Sequence, residues 1–317
     1  MLRFGVVGTG IMGSNHARIA SQHRDVELVA VVDPDRERAE RLASAYGAKP
    51  YADVSECTDL LDAAVVATPT EHHRDVGVAL LDAGVHTLVE KPIAATTAEA
   101  TDLIAAAERS GATLTVGHVE RFNPAVLELD NLVREPLHIT ATRVSPYVER
   151  VTVGVVLDLM VHDLDIVTTL ARGSVTRVQA STLTVRSDSE DLATALVEFD
   201  NGVSATLTAS RIGQQKIRQL TITEPDDFVE VDLLRQAVTI HRVAHAEYLS
   251  SEGARYRQTG VVEIPFLEHR GEPLALELDE FVHAIAERRR PRVTGEDGRA
   301  ALQLALDVVA AAGGPGA

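Results

Sequence analysis

The first 120 residues alternate short apolar runs with amphipathic stretches of helical length. Two of the runs, VELVAVV at 26–32 and DAAVVAT at 62–68, contain few polar residues, which is typical of strands covered on both faces. This rhythm predicts a parallel sheet with crossover helices. The predicted strands are Arg3–Val7, Glu27–Val32, Ala63–Ala67, Thr87–Glu90 and Thr113–Gly117, and the predicted helices lie near Met12–His23, Arg36–Tyr46, Asp75–Ala83 and Ala95–Ser110.

After about residue 120 the apolar residues instead alternate with Thr, Ser and Arg. Tight turns such as Asp200-Asn201-Gly202 separate some of these segments, so the pattern predicts a meander of antiparallel strands. The predicted strands are Leu137–Val144, Val175–Val185, Leu192–Phe199, Val203–Ser210, Leu220–Thr223, Phe228–Leu233 and Val238–Arg242. Helices are expected at roughly Asp158–Arg172, Leu274–Arg289 and Gly298–Ala312.

The two patterns predict an α/β protein with two domains. Residues 1–120 are expected to form a doubly wound parallel sheet, and residues 121–317 an α+β domain on a large open, mostly antiparallel sheet. A length of 317 residues agrees with this division, because single cores rarely grow so large.

Composition excludes some classes of partner. The formal net charge of -17 argues against nucleic acid, because an acidic surface repels a phosphate backbone. The single cysteine, Cys57, leaves no intrachain disulfide and fits a reducing compartment. No apolar run approaches the roughly 18–20 residues of a membrane span, and the N-terminus has no signal-peptide pattern. We therefore expect a cytoplasmic protein without nucleic-acid or membrane partners.

The segment Gly8-Thr9-Gly10-Ile11-Met12-Gly13 is a G-x-G-x-x-G turn between the first predicted strand and helix. Side chains at its glycines would obstruct the tight turn, the approach of backbone amides to a pyrophosphate, and helix packing. Asp33 ends the second strand, where a carboxylate accepts hydrogen bonds from the adenosine ribose and repels a 2′-phosphate. This context favours a Rossmann site for NAD over a chance glycine turn, and nearby Arg36 and Arg38 keep NADP open.

Lys91 follows the predicted strand Thr87–Glu90, at the sheet edge where doubly wound folds bind ligands. Its amine can hydrogen-bond a reacting hydroxyl and stabilise developing alkoxide charge. The alternative is a surface lysine at a turn. Because the chain has only three lysines, at 49, 91 and 216, the catalytic interpretation is favoured.

Asp158 and His162 are four residues apart on a predicted helix, so one helical face presents both, and Asp165 and Thr169 extend this polar stripe. The near-neutral pKa of histidine suits proton removal from an alcohol. A structural histidine and a metal site are the alternatives. Two ligands without a clear third argue against a metal.

A set of motifs resembles one known family across nearly the whole chain. In order, these are Ala67-Thr68-Pro69-Thr70 with His73, Val89-Glu90-Lys91-Pro92, and DLMVHDLD at 158–165. Together they resemble the glucose-fructose oxidoreductase/inositol dehydrogenase/MocA (GFO/IDH/MocA) family. Thr294–Gly298 resembles the start of the family's C-terminal helix, which implies that a last helix at about 298–312 packs back toward the Rossmann domain.

Three segments resemble more narrowly the UDP-N-acetylglucosamine 3-dehydrogenases of that family: Gly117–Pro124, Val153–Asp165 and Lys216-Ile217-Arg218. Many members of the wider family carry two or three glycines before the catalytic helix. This chain has only Gly154, which fits the narrower group and weakens a simple assignment as an inositol dehydrogenase.

The resemblance implies the roles of particular residues. His162 is expected to be the general base, Asp158 to orient it or the sugar, Lys91 to stabilise the reacting oxygen, and Pro92 to follow a cis bond. Asp163 is expected behind this layer, His73 near the nicotinamide, and His72 in solvent. The expected cofactor-binding residues are Gly8, Gly10, Ile11, Met12, Gly13, Asp33, Thr68, Pro69, His73, Glu90 and Lys91. The expected substrate-binding residues are Lys91, Glu120, Arg121, Asn123, Asp158 and His162, with a domain-closing salt bridge as a comparable alternative for Arg121.

The resulting hypothesis is an NAD(P)-dependent sugar dehydrogenase that oxidises the 3-hydroxyl of a UDP-N-acetylhexosamine without a metal. An inositol or polyol dehydrogenase, a deoxysugar 3-ketoreductase and a dinucleotide-sensing regulatory protein are the alternatives. Open antiparallel sheets often pair with a second copy, so we expect a homodimer or homotetramer.

Overall fold

The computed structural model describes residues 1–149, 153–250 and 253–313, and the side chains of all of these but 244–258. Its contacts group the chain into two units. The first comprises Met1–Phe122 with Gly271–Gln303, and the second comprises Asn123–Arg270 with Leu304–Ala317.

The described part of the first unit contains a six-stranded sheet. Its strands are β1 (Leu2–Val7), β2 (Val26–Val32), β3 (Lys49–Tyr51), β4 (Ala63–Val66), β5 (His86–Glu90) and β6 (Leu114–Gly117). All pairings are parallel, in the order β3-β2-β1-β4-β5-β6. This is the dinucleotide-binding order, with its switch point between β1 and β4, and it confirms the predicted doubly wound sheet. Only β3, three residues long and containing Pro50, was missing from the sequence prediction.

Helices follow the strands of this unit, as the hydrophobic pattern predicts. They are α1 (Ile11–Gln22), α2 (Arg36–Tyr46), α3 (His73–Asp82) and α4 (Thr97–Ser110). Local signals define their ends: Asp35 caps α2, and Thr96 and Glu99 form a capping box at α4. Gly47 and Gly111 end these two helices in the left-handed conformation, at φ 75° and 72°.

Residues 271–303 group with the first unit, whereas the sequence-based division placed them in the second domain. The physical reason is the apolar stripe of helix α7 (Pro273–Glu287). Leu274, Leu278 and Phe281 of this stripe are buried in one cluster with residues of α1 and the parallel sheet, such as Ile19 and Val65. Helical periodicity predicts that such a stripe is buried, but it carries no information about the partner.

The start of the last helix, α8, also lies against the parallel sheet. Thr115 Oγ1 of β6 donates a hydrogen bond of 2.7 Å to Val293 O, and a Cβ added at Gly298 would lie 2.6 Å from Val116 Cγ2. The helix spans Gly295–Ala311, three residues earlier than predicted at its N-terminal end. Thr294 and Asp297 cap it through mutual hydrogen bonds.

The described part of the second unit contains an eight-stranded sheet. Its strands are β7 (His138–Val144), β8 (Val175–Leu183), β9 (Leu192–Phe199), β10 (Ser204–Ser210), β11 (Ile217–Thr223), β12 (Asp227–Asp232), β13 (Ala237–Ser250) and β14 (Gly253–Glu263). The order is β14-β13-β12-β11-β7-β10-β9-β8. All pairings are antiparallel except β7 with β10, which confirms a large, mostly antiparallel sheet.

One expectation for this sheet is wrong in detail, because the strands do not form a simple meander. β7 lies between β10 and β11 instead of at an edge. Its burial alternates with period two, with Ile139, Ala141 and Arg143 buried. A strand of this pattern fits any position in the sheet, and pairing order depends on contacts between residues far apart in sequence.

The second unit has one helix before β7 and another between β7 and β8. They are α5 (Pro124–Leu132) and α6 (Val161–Ala171), and α6 lies on β7 and β10. Among the residues that the structure describes, no helix has the length and apolar character needed to cross a membrane.

Candidate functional site

The glycine turn at the end of β1 has no room for side chains at two of its positions. Gly8 adopts φ 97°, and a Cβ there would lie 2.5 Å from Ala67 O. A Cβ at Gly13 would lie 1.8 Å from Gly8 O. At Gly10 a Cβ would meet no protein atom within 4 Å. Gly8 and Gly13 are therefore needed by the protein's own packing, while Gly10 leaves open the side from which a pyrophosphate approaches the start of α1.

Alanine at Gly13 and alanine at Gly10 are expected to give different defects. Gly13→Ala forces Cβ against a backbone oxygen, so we expect a loss of about 1–3 kcal/mol in unfolding free energy together with weaker NADH binding. Gly10→Ala meets only open space, so we expect normal stability but a dissociation constant for NADH raised about tenfold or more. Urea unfolding and NADH fluorescence titration measure the two quantities. Equal stability of the two variants would contradict this account of Gly13.

Asp33 is held as a carboxylate beside the glycine turn. It accepts hydrogen bonds from Thr9 N (2.9 Å), Thr9 Oγ1 (2.6 Å) and Asp35 N (2.9 Å). Partial burial opposes ionisation, but these hydrogen bonds outweigh it and hold the pKa of Asp33 below its usual value. Arg38 pairs with Asp35 at 3.1 Å and Arg36 with Glu40 at 2.8 Å. Arg36 and Arg38, the two basic residues that follow Asp33 in the sequence, are thus each paired with an acidic side chain.

Thr68 lies next to the glycine turn, Pro69 follows it, and the His73 ring lies against the Thr68 carbonyl. The Ala67–Thr68 peptide passes within 2.8 Å of the position of a Cβ on Gly8. The His73 ring is 99% buried, with Nε2 2.9 Å from Thr68 O and Nδ1 2.9 Å from Pro92 O. Burial lowers the pKa of His73, so at neutral pH the uncharged ring donates to only one of these carbonyls. His73 therefore lies between the end of β4 and the turn that carries Lys91, and hydrogen-bonds one of the two.

Lys91 stands on a turn that is fixed from several directions. The Lys91–Pro92 peptide bond is cis. Glu90, the last residue of β5, accepts a hydrogen bond from Lys91 N at 3.2 Å through Oε2. Its Oε1 lies 2.7 Å from Nε2 of His16, on α1. Gly117 of β6 leaves room for this carboxylate, since a Cβ there would lie 3.1 Å from Glu90 Oε2.

Two residues of this arrangement were missed by the sequence analysis, His16 and Glu277. Both are 1% exposed and belong to the first unit. Neither Glu277 carboxyl oxygen has a hydrogen-bond partner among the described residues. Burial, and secondarily the charge of Glu90, raises the pKa of Glu277 well above its ordinary value. The available signal was a titratable residue inside an apolar helical stripe, His16 before Ile19 in α1 and Glu277 before Leu278 in α7.

Replacing Glu277 with glutamine is expected to change how stability depends on pH. A carboxyl whose pKa is raised on folding stabilises the native state below its unfolded pKa, and this contribution is lost as pH rises through the folded pKa. Glutamine has nearly the same shape and stays uncharged near Glu90. The melting temperature of Glu277→Gln minus that of the unmodified protein should therefore increase as pH rises from 5 to 9. A difference independent of pH would contradict a buried neutral acid.

In the second unit, Asp158 lies in a π-helical turn, Val156–Met160, that leads directly into α6. The prediction of one continuous α-helix over Asp158–Arg172 is wrong at this point. Such wide turns are frequent at functional sites, because they alter the side-chain spacing of the surrounding α-helix. Asp158 Oδ2 lies 3.8 Å from Nη2 of Arg211, which also donates to Val153 O. Asp158 and His162 are both partly exposed, as functional side chains require.

Asp163, next to His162, points into the protein instead of extending the functional face. Its oxygens accept from Arg143 Nε at 2.9 Å and Nη2 at 2.7 Å. The Arg143 and Asp163 side chains are 1% and 4% exposed. The pair fixes the start of α6 to β7. Asp165 is also buried, so the expected polar stripe through Asp158, His162 and Asp165 is not a solvent-exposed one.

The segment after β6 forms a short 3-10 helix, Val119–Phe122, in which Glu120 and Arg121 are buried to 6% and 7% exposure. Asn123 begins the second unit and caps α5, accepting from Ala125 N at 3.1 Å. Its amide nitrogen donates to Leu233 O at 2.9 Å. These contacts give Asn123 a structural role in addition to the substrate-binding role expected of it.

Metal-binding side chains do not cluster in the part of the chain that the structure describes: it contains no group of three or more His, Cys, Asp and Glu placed to hold an ion. His72 lies at the end of a 3-10 turn, Thr70–His72, and is exposed. Cys57 is buried, and burial raises the pKa of its thiol to about 11.

Comparison with known proteins identifies both parts of the chain. Residues 2–118 match the family described as "Oxidoreductase family, NAD-binding Rossmann fold", and residues 135–223 match the "GFO/IDH/MocA C-terminal domain". The UDP-N-acetylglucosamine 3-dehydrogenase of Acidithiobacillus ferrooxidans is 31% identical over 309 residues, covering 97% of this chain and 96% of that protein. Its solved structure superposes with a TM-score of 0.88 over 98% of this chain and 97% of the other.

An inositol 2-dehydrogenase of Rhizobium meliloti is also similar, at 27% identity over 96% of this chain and 94% of that protein. Both relatives are named as dehydrogenases, and the family matched by residues 2–118 is described as an NAD-binding Rossmann fold. The chain therefore belongs to the GFO/IDH/MocA oxidoreductase family and is an NAD-binding dehydrogenase that acts on CH–OH groups.

Proposed function

We propose that this dehydrogenase oxidises a ring hydroxyl of a nucleotide sugar, the 3-hydroxyl of a UDP-N-acetylhexosamine. The observation that carries the proposal is the similarity to the UDP-N-acetylglucosamine 3-dehydrogenase, which extends over 97% of this chain and therefore includes both units. The single glycine before the catalytic helix, Gly154, supports the same substrate class. A Cβ there would lie 1.9 Å from Glu190 Oε1, so the position is tightly packed.

In this proposal three side chains carry the chemistry. His162 accepts the proton of the sugar hydroxyl, as a group with a near-neutral pKa can at physiological pH. The Lys91 ammonium hydrogen-bonds the same oxygen and stabilises its developing negative charge. Asp158 orients His162 or the sugar ring. NAD⁺ supplies the hydride acceptor, so that the alcohol becomes a ketone, with NADH and a proton as the other products.

The cofactor is proposed to be bound by Gly8, Gly10, Ile11, Met12 and Gly13 at its pyrophosphate and by Asp33 at its ribose, with Thr68, Pro69, His73, Glu90 and Lys91 toward the nicotinamide. NAD is preferred to NADP because Asp33 is ionised and repels a 2′-phosphate. Arg36 and Arg38, the basic residues that could oppose this preference, pair with Glu40 and Asp35.

The substrate is proposed to contact Glu120, Arg121 and Asn123 in addition to Lys91, Asp158 and His162. A nucleotide sugar also needs cationic partners for its diphosphate. Arg211, Lys216 and Arg218 are the candidates in the second unit, around the N-terminal end of β11. Arginine suits this role because its guanidinium binds phosphate oxygens in pairs.

A polyol or inositol dehydrogenase is the second candidate function. It is favoured by the similarity to the inositol 2-dehydrogenase over 96% of the chain. A ketoreductase of deoxysugar biosynthesis would use the same residues in the reverse direction. We further propose a cytoplasmic enzyme, in keeping with its single cysteine, and a homodimer or homotetramer formed through the eight-stranded sheet, whose edge strand β8 exposes Val175 and Leu183.

The test is an assay of several substrates in which the absorbance of the reduced nicotinamide measures turnover. The purified protein is mixed with NAD⁺ or NADP⁺ and with UDP-N-acetylglucosamine, its uronic acid or free inositols. Reduction of NAD⁺ with UDP-N-acetylglucosamine is the expected result. If only an inositol is oxidised, the nucleotide-sugar proposal is wrong and the polyol or inositol dehydrogenase function takes its place. If no alcohol is oxidised but a 3-ketosugar is reduced with NADH, the enzyme would be a ketoreductase instead.

A further inference from the structure

Near the Lys91 turn the first unit contains a group of three buried titratable side chains, of which the proposed function uses only Glu90. These are His16 on α1, Glu90 at the end of β5 and Glu277 on α7. Their exposed fractions are 1%, 6% and 1%. Burying ionisable groups is unfavourable unless they are paired, so a group this dry needs a role or a compensating contact.

Glu90 is the centre of the group, and both of its oxygens are engaged. Oε1 lies 2.7 Å from His16 Nε2, and Oε2 accepts from Lys91 N at 3.2 Å. The carboxylate thus connects the middle of α1 to the backbone of the residue proposed to act on the substrate. On the other side of the turn, His73 Nδ1 lies 2.9 Å from Pro92 O.

Glu277 has the opposite character, since no donor of the residues that the structure describes reaches its carboxyl group. A buried carboxyl without hydrogen-bond donors ionises with difficulty, and more so near a second carboxyl. Burial, and secondarily the charge of Glu90, raises the pKa of Glu277 well above its ordinary value. Glu277 is therefore the neutral acid of the group, and both oxygens of Glu90 are left to its two partners, His16 and the Lys91 backbone.

We propose that His16 is a positioning residue for the dehydrogenase reaction: its Nε2 holds the Glu90 carboxylate, which in turn holds the Lys91 backbone and keeps the amine in one place. This inference rests on the role proposed above for Lys91. His16 reaches neither Lys91 nor a ligand directly in this scheme. It acts through Glu90.

The proposal is tested first by a pair of substitutions that differ in where they place a donor. The amide nitrogen of glutamine reaches the position of histidine Nε2, whereas that of asparagine reaches only the position of Nδ1. His16→Asn should lower kcat about 10- to 100-fold, because a small misplacement of a reacting group has an effect of this size. His16→Gln should recover most of that loss. The KM for NAD⁺ should change by less than about threefold in both variants, because the effect is on the reacting group.

A second readout needs no substrate. The chain has only three lysines, so acetic anhydride labelling followed by peptide mass spectrometry reports Lys91 separately. The exposed Lys49 is an internal standard in the same molecule. The rate of Lys91 labelling relative to Lys49 should rise about threefold or more in His16→Asn and return toward the original ratio in His16→Gln, because a released turn exposes the amine.

Glu280→Gln is the matched stability control. Glu280 lies one turn after Glu277 on α7 and accepts from Arg289 Nη1 at 2.6 Å, so its loss should lower the melting temperature without altering kcat or Lys91 labelling. If His16→Asn does not fold, Glu90→Gln weakens the same link and should shift both readouts in the same direction.

Unchanged labelling and unchanged kcat in His16→Asn would overturn the proposal, and so would a His16→Gln variant as impaired as His16→Asn. Altered labelling without a change in kcat would also overturn it, because the turn would then be held without consequence for the reaction. Absence of turnover by the unmodified protein across the substrate panel refutes the proposed function instead, and the labelling ratio still decides whether His16 holds Lys91.

Discussion

Replacing Lys91 with alanine is expected to lower kcat about 10³-fold, the upper part of the range for removal of a group that stabilises charge or transfers a proton. The variant loses the ammonium that we propose to stabilise the alkoxide-like oxygen. NADH binding should change far less, because the glycine turn and Asp33 are unaffected. Steady-state kinetics and NADH fluorescence titration on the same preparation separate the two quantities. His162→Ala should reproduce the loss of kcat, since the proton would have no acceptor.

Lys49→Ala is the matched control for this experiment. Lys49 is the first residue of β3 and is exposed. Its replacement by alanine removes the same charge from the chain as Lys91→Ala does. It should leave kcat within about twofold, as expected of a surface substitution. A Lys91→Ala variant that retains more than a tenth of the original kcat would contradict the role assigned to the amine. A raised KM with unchanged kcat would instead make Lys91 a binding residue.

Replacing Asp163 with asparagine is expected to lower the free energy of unfolding by about 3–5 kcal/mol, because it removes the carboxylate that binds the buried Arg143 guanidinium through two hydrogen bonds. The pair is 1% and 4% exposed and hydrogen-bonded at 2.9 and 2.7 Å, so water cannot replace the lost carboxylate. Urea unfolding at pH 7 measures the change. Since Asp163 is next to His162 at the start of α6, kcat should also fall in the folded fraction as the start of the helix is released from β7.

Two further variants make this result specific. Arg3 and Asp62 form a similar two-pronged pair, at 2.7 and 3.1 Å, but the Arg3 side chain is 47% exposed, so Asp62→Asn should have little effect on stability. The double variant Arg143→Met with Asp163→Leu removes both charges and should recover most of the stability lost in Asp163→Asn. A marginal effect of Asp163→Asn by itself would show that the buried arginine finds another partner.

Most of the first unit could be predicted from sequence, since its signals are local. Continuous apolar runs identify buried parallel strands, and the glycine turn states where α1 begins. Asp33 and Lys91 could be proposed as site residues because the ends of parallel strands meet at a common edge of the sheet. Cap residues such as Thr96 and Gly111 define helix ends within a few positions.

What could not be predicted depends on contacts between distant parts of the chain. His16 and Glu277 are separated by more than 250 residues. The sequence does not reveal that Glu90 interacts with both of them. The partner of α7 and the place of β7 in its sheet are of the same kind. The π-helical turn at Val156–Met160 is a different case, because a period of 3.6 and a locally wider turn give almost the same hydrophobic pattern over five residues.

The link between α1 and Glu90 has a consequence for how this enzyme can be altered. His16 follows Gly10 by six residues, which is about 9 Å along a helix that rises 1.5 Å per residue. Inserting or deleting one residue in that interval would turn His16 by about 100° away from Glu90. The length of the segment from the glycine turn to His16 is therefore fixed by geometry. Surface loops tolerate insertions and deletions, whereas this short interval does not.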